Sequence, residues 1–492
     1  MEIINVDVLV CGGGMSGMAC ASFAAEAGAR TLVIEKQGEI GGSSNYSAGM
    51  FWAPQTYEKL RNWVPQGDPI LQKAFLDDYL PVVQFMRASG VPIAKRFDGI
   101  MTIGIGFPIE ISSLHKLHRK RIESSRTSSE ILINTSVVKL IQEEAGVAGS
   151  PITGAIICKK SPGFPAVYCE IKAKIVVLAT GGFQGSPDLV SRYLGQGGNK
   201  IFVRSNRGSV GDGLKLALEV GGGTSRGMNS YYGHLLAAPL QSEDVNPRDY
   251  LPLAQYPTES KHCLLVNEAG RRFADESMGD EIINQYLARQ ENRRGFLIFS
   301  EKVRLQHCVT ALFPNAGDVD RLQKAKEHGC NVGTASTLKG LLDILHEWGV
   351  DRVQAGRTIE EYDRVVRLGD RDLACDASIG AGGSVPAPLV ENEGPFHAME
   401  VQPSITFTYG GISIDSKGHA LTADCARIPG LLVAGVDAGG FSNVGYAGGL
   451  ALAFVTGLWA AREIALQLGL PQPVLPPANV RDGEDLPIEA LL

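Results

Sequence analysis

The sequence predicts an α/β protein, with one parallel-sheet domain assembled from both ends of the chain and a smaller α+β domain inserted between them. Three observations carry this. An apolar, β-branched run at 6–11 stops at Gly12, Gly13 and Gly14, and a second run at 31–34 ends in Glu35. Two later runs, 174–179 and 430–434, also stop at glycines, as parallel strands covered on both faces do. From about residue 238 the pattern is broken by Pro239, Pro247, Pro252 and Pro257, and a different composition begins. The expected boundaries are 1–237 with 391–492 for the first domain and 238–390 for the insertion. At 492 residues the chain is too long for a single core.

The first strand leads into a βαβ unit. Gly12 permits a tight turn, Gly14 lets backbone approach a pyrophosphate, and Gly17 lets helix and strand pack closely. A helix over 18–27, ended by Gly28, presents its N-terminal amides and positive dipole end to phosphate. Glu35 stands about 20 residues on, where an acid accepts from ribose hydroxyls. This is a Rossmann-like dinucleotide site; a bare tight turn would need no acid at the end of the second strand.

A loop of small residues follows at 41–50, then helices near 55–63, 69–89 and 111–122, and strands at 130–134 and 137–141. Strands at 152–158, 166–171 and 174–179 come next, with a helix at 214–220 opened by the glycines of 208–213 and stopped by those of 221–223. The insertion shows helices near 278–292, 338–348 and 358–368. Strands resume at 395–401 and 430–435, and a final apolar helix spans 450–466. The tail beyond Pro471 reads as a loose extension.

A net charge of −7 argues against a nucleic-acid or anionic-membrane partner. Lys116, Arg119, Lys120 and Arg121 read as the solvated face of a helix whose apolar period is Ile111, Leu114, Leu117, His118 and Ile122. His115 and His118 lack partners at metal-ligand spacing and are expected at the surface; no metal is expected. Nine scattered cysteines without a CxxC pair favour reduced thiols and a cytoplasmic protein, and Cys11 reads as a small buried apolar residue. No signal peptide is expected, since the start reads as a strand. The longest apolar stretch, 447–461, is short and glycine-interrupted for a bilayer span.

Laid in order, 12–17, Glu35, 41–44, 179–182, 266–276, 409–415 and 430–449 resemble the flavoprotein superfamily of fumarate reductases and 3-ketosteroid dehydrogenases over nearly the whole length. The resemblance implies an FAD domain of glutathione-reductase type, a capping domain, and an active site where the cap meets the flavin. It assigns cofactor roles to Gly12, Gly14, Gly17, Glu35, Gly42, Ser43, Ser44, Val138 through its backbone, Ala179, Gly181, Gly435 and Gly449. Ser16, Lys36, Gly49, Asp437, Ala451 and Leu452 stand beside them. The start of the last helix would stabilise negative charge on the reduced flavin. The superfamily usually has Glu after the glycine equivalent to Gly435; here Val436 stands there and Asp437 follows, so either could serve the ribityl chain. No histidine occurs in 41–50, where membrane-bound relatives attach FAD covalently, so non-covalent FAD is expected.

At the substrate side, Tyr446 stands where fumarate-handling relatives carry an arginine. Ser277, Met278, Gly279 and Asp280 replace their proton-donating arginine, and Thr406 or Phe407 their histidine. A buried dicarboxylate without those cations would cost several kcal/mol per unpaired ion. Tyr446, Ala447, Gly448 and Gly449 instead resemble the Tyr-Pro-Gly signature of 3-ketosteroid dehydrogenases, with Ala447 in place of proline. The resemblance implies that the Tyr446 hydroxyl and the Gly449 amide hold a ketone oxygen, or that Tyr446 merely walls the flavin pocket. Tyr231, Tyr232, Tyr409 and His234 are candidates for the base; Tyr231 and Tyr232 could equally be a packing pair. The leading reading is therefore an FAD-dependent CH–CH dehydrogenase that forms or reduces a C=C bond beside a ketone in a cyclic, largely uncharged small molecule, with an unknown electron acceptor. The alternatives are a reductase of an unsaturated carboxylate, clamped by Lys261, His262 or Arg271, and a flavoprotein without redox turnover.

Overall fold

A computed structural model describes residues 1–100, 103–195, 197–240, 262–311, 318–368, 389 and 394–477. The chain forms two compact units. One comprises Met1–Asn199, Ser205–Tyr231 and Phe407–Leu492, and the other Lys200–Arg204 with Tyr232–Thr406. The second is wider than the 238–390 interruption read from the sequence, because Leu235–Ala237 pairs antiparallel with the long strand Phe396–Ile405.

In the first unit, β1 (Glu2–Cys11) leads into α1 (Met15–Ala27) and then β2 (Thr31–Ile34). After α2 (Ile111–Glu123) come β3 (Glu130–Leu132), β4 (Thr135–Gln142), β5 (Ile152–Lys159) and β6 (Val167–Leu178). The chain returns with β7 (His419–Leu421), β8 (Arg427–Val433) and α3 (Leu450–Gln467). The sheet order is β7-β8-β6-β1-β2-β3, with the β4-β5 pair attached to β6. The parallel registers bring Cys11, Ile34, Leu178 and Val433 to one end of the sheet. Ligands of open parallel sheets bind beyond that end.

Burial explains why β6 is one strand where the sequence suggests two. Its outer half alternates, because it lies in an antiparallel arm with β5 that has one wet face, and its last four residues are all buried. In α1 only Glu26 and Ala27 escape burial, and Gly28 closes it in the left-handed conformation with its amide on Ala24 and Ala25 carbonyls. Against α1 packs α3, so closely that a Cβ on Gly457 would lie 2.3 Å from the Ser16 carbonyl.

Two expectations are corrected here. The last helix, continuing to Gln467, is long and apolar enough to cross a membrane, whereas the 447–461 stretch reads as too short. Its apolarity belongs to the core: 67% of it is buried, and Trp459 and Arg462 bind Asp78 of the helix Pro69–Ala88. His115 and His118, expected at the surface, are both buried. The buried face of α2 is Ile111, Leu114, His115, His118 and Ile122, while Lys116, Arg119 and Lys120 are exposed. Arg121 departs from that solvated row, laying its guanidinium over Phe23 and Phe85 and pairing with Glu26. A neutral imidazole fills a helix stripe as an apolar ring would, provided its N–H finds an acceptor.

The second unit is built on Phe396–Ile405, which pairs antiparallel with Gly295–Ser300 and Val332–Ala335 and parallel with Phe202–Val203. Leu264–Asn267 extends the sheet beyond Gly295–Ser300. Successive residues of these strands supply two apolar clusters, Leu265, Leu297, Met399 and Val401 in one and Leu264, Phe296, Ile298 and Ala398 in the other, as the two-residue strand period requires. The prolines at 247, 252 and 257, Lys261 and the tail from 478 lie outside the described residues.

Candidate functional site

The glycine turn is fixed by backbone crowding. Gly12 has φ +115°, and a Cβ there would lie 2.1 Å from the Ala179 carbonyl oxygen; one on Gly17 would lie 1.9 Å from the Gly12 oxygen. Gly14 and Gly42 are different. A Cβ on Gly14 meets only the Gly41 oxygen at 3.9 Å, and one on Gly42 meets the Gly14 Cα at 3.5 Å. The two glycines thus face each other across a gap lined by backbone, and a parallel bridge joins Gly14 to Gly41. No side chain caps α1 at Gly14, so its first amides remain for an anion. Glu35, buried at the end of β2, accepts from the Gly13 amide at 2.8 Å and from the Gln37 amide at 2.7 Å, which fixes its carboxylate beside the turn.

Next to this cradle, the short helix Gly42–Tyr46 carries Ser43 and Ser44. The Ser44 hydroxyl donates to the Gly41 carbonyl at 2.5 Å and lies 2.8 Å from His115 Nε2. Gly49 follows at φ +80°, its carbonyl accepting from Ile109. Lys36 is drawn to Asp212 at 2.6 Å. Val138 is 46% exposed, at an irregularity of the β4-β5 pair.

Asp437 does something the sequence does not reveal. Its carboxylate accepts from the Thr180 amide and, at 2.9 Å, from the Thr180 hydroxyl, which in turn accepts from the Gly213 amide at 2.8 Å. Asp437 therefore clamps the 179–182 turn at the mouth of β6. Burial pushes its carboxyl up to about 7, against the lowering effect of the hydrogen bonds from Thr180 and Gly181. Gly435 lies close by, its amide donating to Thr456 of α3 and its Cα facing Ser16 Oγ.

Also in the first unit, Tyr446 is buried among aromatic rings. Trp52 meets it edge-on at 5.0 Å and Phe407 at 5.9 Å, and Phe407 meets Tyr409 at 6.0 Å. A Cβ on Gly449 would lie 2.9 Å from the Tyr446 hydroxyl oxygen. The hydroxyl thus sits at the start of α3, where Leu450, Ala451 and Leu452 form the first turn. Tyr231 is buried, beside the Ser230 carbonyl that accepts from the Tyr409 amide.

The second unit holds the remaining candidates. The Tyr232 hydroxyl is 2.9 Å from His234 Nε2, and His234 Nδ1 is 2.5 Å from Asp280 Oδ2. Asp280 is 1% exposed, at the first position of the helix Asp280–Leu287. Its neighbour Glu281 is buried, and burial followed by the Asp280 charge raises its carboxyl well above the ordinary range. With Asp280 accepting from Nδ1–H, Nε2 is left as the acceptor for the Tyr232 hydroxyl. Of the cations considered for a carboxylate, Arg271 is exposed and His262 stacks on His307 at 3.6 Å.

Asp280, Trp52 and His115 escape the sequence reading. Asp280 stands only as the replacement for an arginine; its partner is 46 residues away, and no local spacing reveals it. Trp52 follows the small-residue loop on the strand Met50–Pro54 and carries no motif.

A cradle of open glycines, an uncapped helix start, a buried acid and a clamped second turn suit a dinucleotide, and the comparisons with known proteins specify which one. Residues 7–100 and 107–452 match the family model described as FAD binding domain. The chain is 25% identical over 477 residues to the fumarate reductase (cytochrome) of Shewanella frigidimarina, covering 91% of this chain and 74% of the relative. It is 26% identical over 488 residues to the vinyl phenol reductase of Lactiplantibacillus plantarum, covering 90% and 92%. Its fold is similar to 3-ketosteroid delta1-dehydrogenase from Sterolibacterium denitrificans, with a TM-score of 0.71 at 18% identity over 94% of this chain and 100% of the other. The chain belongs to the FAD binding domain family and is an FAD-dependent oxidoreductase.

Proposed function

We propose that the enzyme forms, or in the reverse direction reduces, a C=C bond next to a ketone in a cyclic, largely uncharged substrate. The observation that carries the reading is the Tyr446 hydroxyl set against Gly449 at the start of α3. A hydroxyl and a helix-start amide together make a two-donor pocket for a carbonyl oxygen. Such donors matter most as the α proton leaves, when charge gathers on that oxygen. The rings of Trp52 and Phe407 exclude water from the hydroxyl and strengthen its hydrogen bond.

FAD, when bound, supplies the acceptor for the β hydrogen, which leaves with its electron pair. Within the second unit, Tyr232, His234 and Asp280 form a chain able to exchange a proton. Asp280 holds the imidazole with its proton on Nδ1, His234 Nε2 draws on the Tyr232 hydroxyl, and the phenol oxygen becomes the proton-exchanging atom.

Relatives named for fumarate and for vinyl phenol both act, by those names, on carbon–carbon double bonds. The aromatic setting of Tyr446 favours the uncharged class over a dicarboxylate. Anaerobic mixing of the purified enzyme with 3-ketosteroids, cyclohexanones and saturated dicarboxylates, following loss of the oxidised flavin band, tests this. Bleaching by a ketone supports it; bleaching by a carboxylate alone reverses it in favour of the carboxylate reading.

A further inference from the structure

The helix α2 carries two buried histidines that the proposed chemistry does not use. Each bonds a serine whose own proton is already placed. The Ser44 hydroxyl donates to the Gly41 carbonyl, so its lone pair receives His115 Nε2–H at 2.8 Å. The Ser22 hydroxyl donates to the Ala19 carbonyl at 3.0 Å, so its lone pair receives His118 Nδ1–H at 2.7 Å. The other nitrogens, His115 Nδ1 and His118 Nε2, are buried without a hydrogen-bond partner. Both rings are therefore single-proton donors, and burial keeps them neutral by lowering His115 to about 4 and His118 to about 3.

The two bonds reach different places. His118 ties α2 to α1 at Ser22, about two helix turns beyond Gly14. His115, on the same face of α2, ties it to the turn that carries Gly42, Ser43 and Ser44. We infer that His115 positions the 41–44 turn for FAD, holding it at a set height over the start of α1 through the single hydrogen bond to Ser44. His115 Nδ1 is buried and its Nε2 is engaged by Ser44, so the ring acts through Ser44. By donating to the Ser44 lone pair and no more, the histidine leaves the amides of the turn for the pyrophosphate. A charged or larger donor, such as lysine or arginine, would bring an unpaired charge into a buried position.

This inference rests on assigning the 41–44 turn to FAD, and the experiment separates the two. FAD dissociation from the holoenzyme is read as the rise in flavin fluorescence over a dilution series, for the wild type, His115→Leu, His115→Gln, Ser44→Ala and the His115→Leu/Ser44→Ala pair. The His115→Leu and Ser44→Ala enzymes are expected to bind FAD about tenfold more weakly, the effect of one buried hydrogen bond. His115→Gln, whose amide nitrogen reaches the place of Nε2, is expected to restore binding to within about threefold, and the double variant to lose no more than either single change. A Ser44→Ala enzyme with unchanged affinity would overturn the assignment of the turn and the inference with it. If Ser44→Ala weakens FAD and His115→Leu does not, or if the two losses multiply in the pair, the assignment stands and the role of His115 falls. Should His115→Leu fail to fold, the comparison of His115→Gln with Ser44→Ala decides: a loss in His115→Gln as large as in Ser44→Ala overturns the positioning role.

Discussion

The Asp437 clamp makes the stability of the protein fall as pH rises, and removing its charge should remove that slope. An aspartate in an unfolded chain titrates near 3.9, whereas burial beside Thr180 moves Asp437 to about 7. Between those values the folded protein keeps a proton that the unfolded chain has released, so folding loses about 1.4 kcal/mol per pH unit. The loss is on the order of 1 kcal/mol near pH 5 and levels off at about 4 kcal/mol by pH 8. Asp437→Asn keeps the shape of the side chain and cannot ionise. Whatever its constant cost from pairing an amide with Thr180, its stability relative to the wild type should improve by about 2–3 kcal/mol between pH 5 and about pH 8. Comparing only the pH-dependent part of the difference cancels the other titrating groups, including His115 and His118, which act in the opposite sense: their depressed values favour the folded state near neutral pH and lose that contribution as pH falls from about 6.5. Urea unfolding of both holoenzymes in excess FAD at the two pH values is the assay. A difference that stays constant with pH would show that Asp437 is ionised in the folded protein throughout, and the clamp would then be an ordinary charged hydrogen bond.

The remaining predictions concern the chemistry. Tyr446→Phe should slow flavin bleaching by a ketone substrate on the order of 10²-fold with FAD content unchanged; full activity would end the carbonyl role of the hydroxyl. Asp280→Asn, which takes away the acceptor for His234 Nδ1, should lower the rate on the order of 10²-fold and shift its pH profile, and a rate unchanged at every pH would remove the proton chain from the mechanism. FAD is expected to be held non-covalently, so acid precipitation should leave the yellow colour in the supernatant, and colour in the pellet would contradict it.

The first domain was legible because its signals are local. A β-branched run, three glycines and an acid ending the next strand are each set by the backbone geometry of one βαβ unit, and the structure explains them atom by atom at Gly12, Gly17 and Glu35. Strand boundaries were less so, since the outer half of β6 obeys the alternation of an antiparallel arm and its inner half the continuous burial of a parallel sheet. The two histidines of α2 misled because hydropathy treats imidazole as polar. A neutral ring with one acceptor packs as well as leucine, and Ser22 and Ser44, distant in sequence, are what make that acceptable.

The substrate side behaves differently, and the reason is physical. A cofactor shared by many enzymes constrains backbone, so its site is written in glycines and short spacings. A substrate constrains only which side chains meet, and these come from any distance along the chain. Tyr446 could be singled out because it departs from an arginine at a place fixed by the cofactor helix, yet its partner Trp52 is 394 residues away by number and enters only through the strand Met50–Pro54. The same holds for His234 and Asp280. Exchanging an arginine for a tyrosine at the start of α3 replaces a full charge by a dipole. The helix-start amides that in an arginine site would share their field with a cation are then left to polarise a neutral oxygen. On the proposed function, a carbonyl would gain from that arrangement in proportion to the charge it develops during reaction, and the proposal accordingly assigns Tyr446 to catalysis rather than to tight binding of the resting substrate.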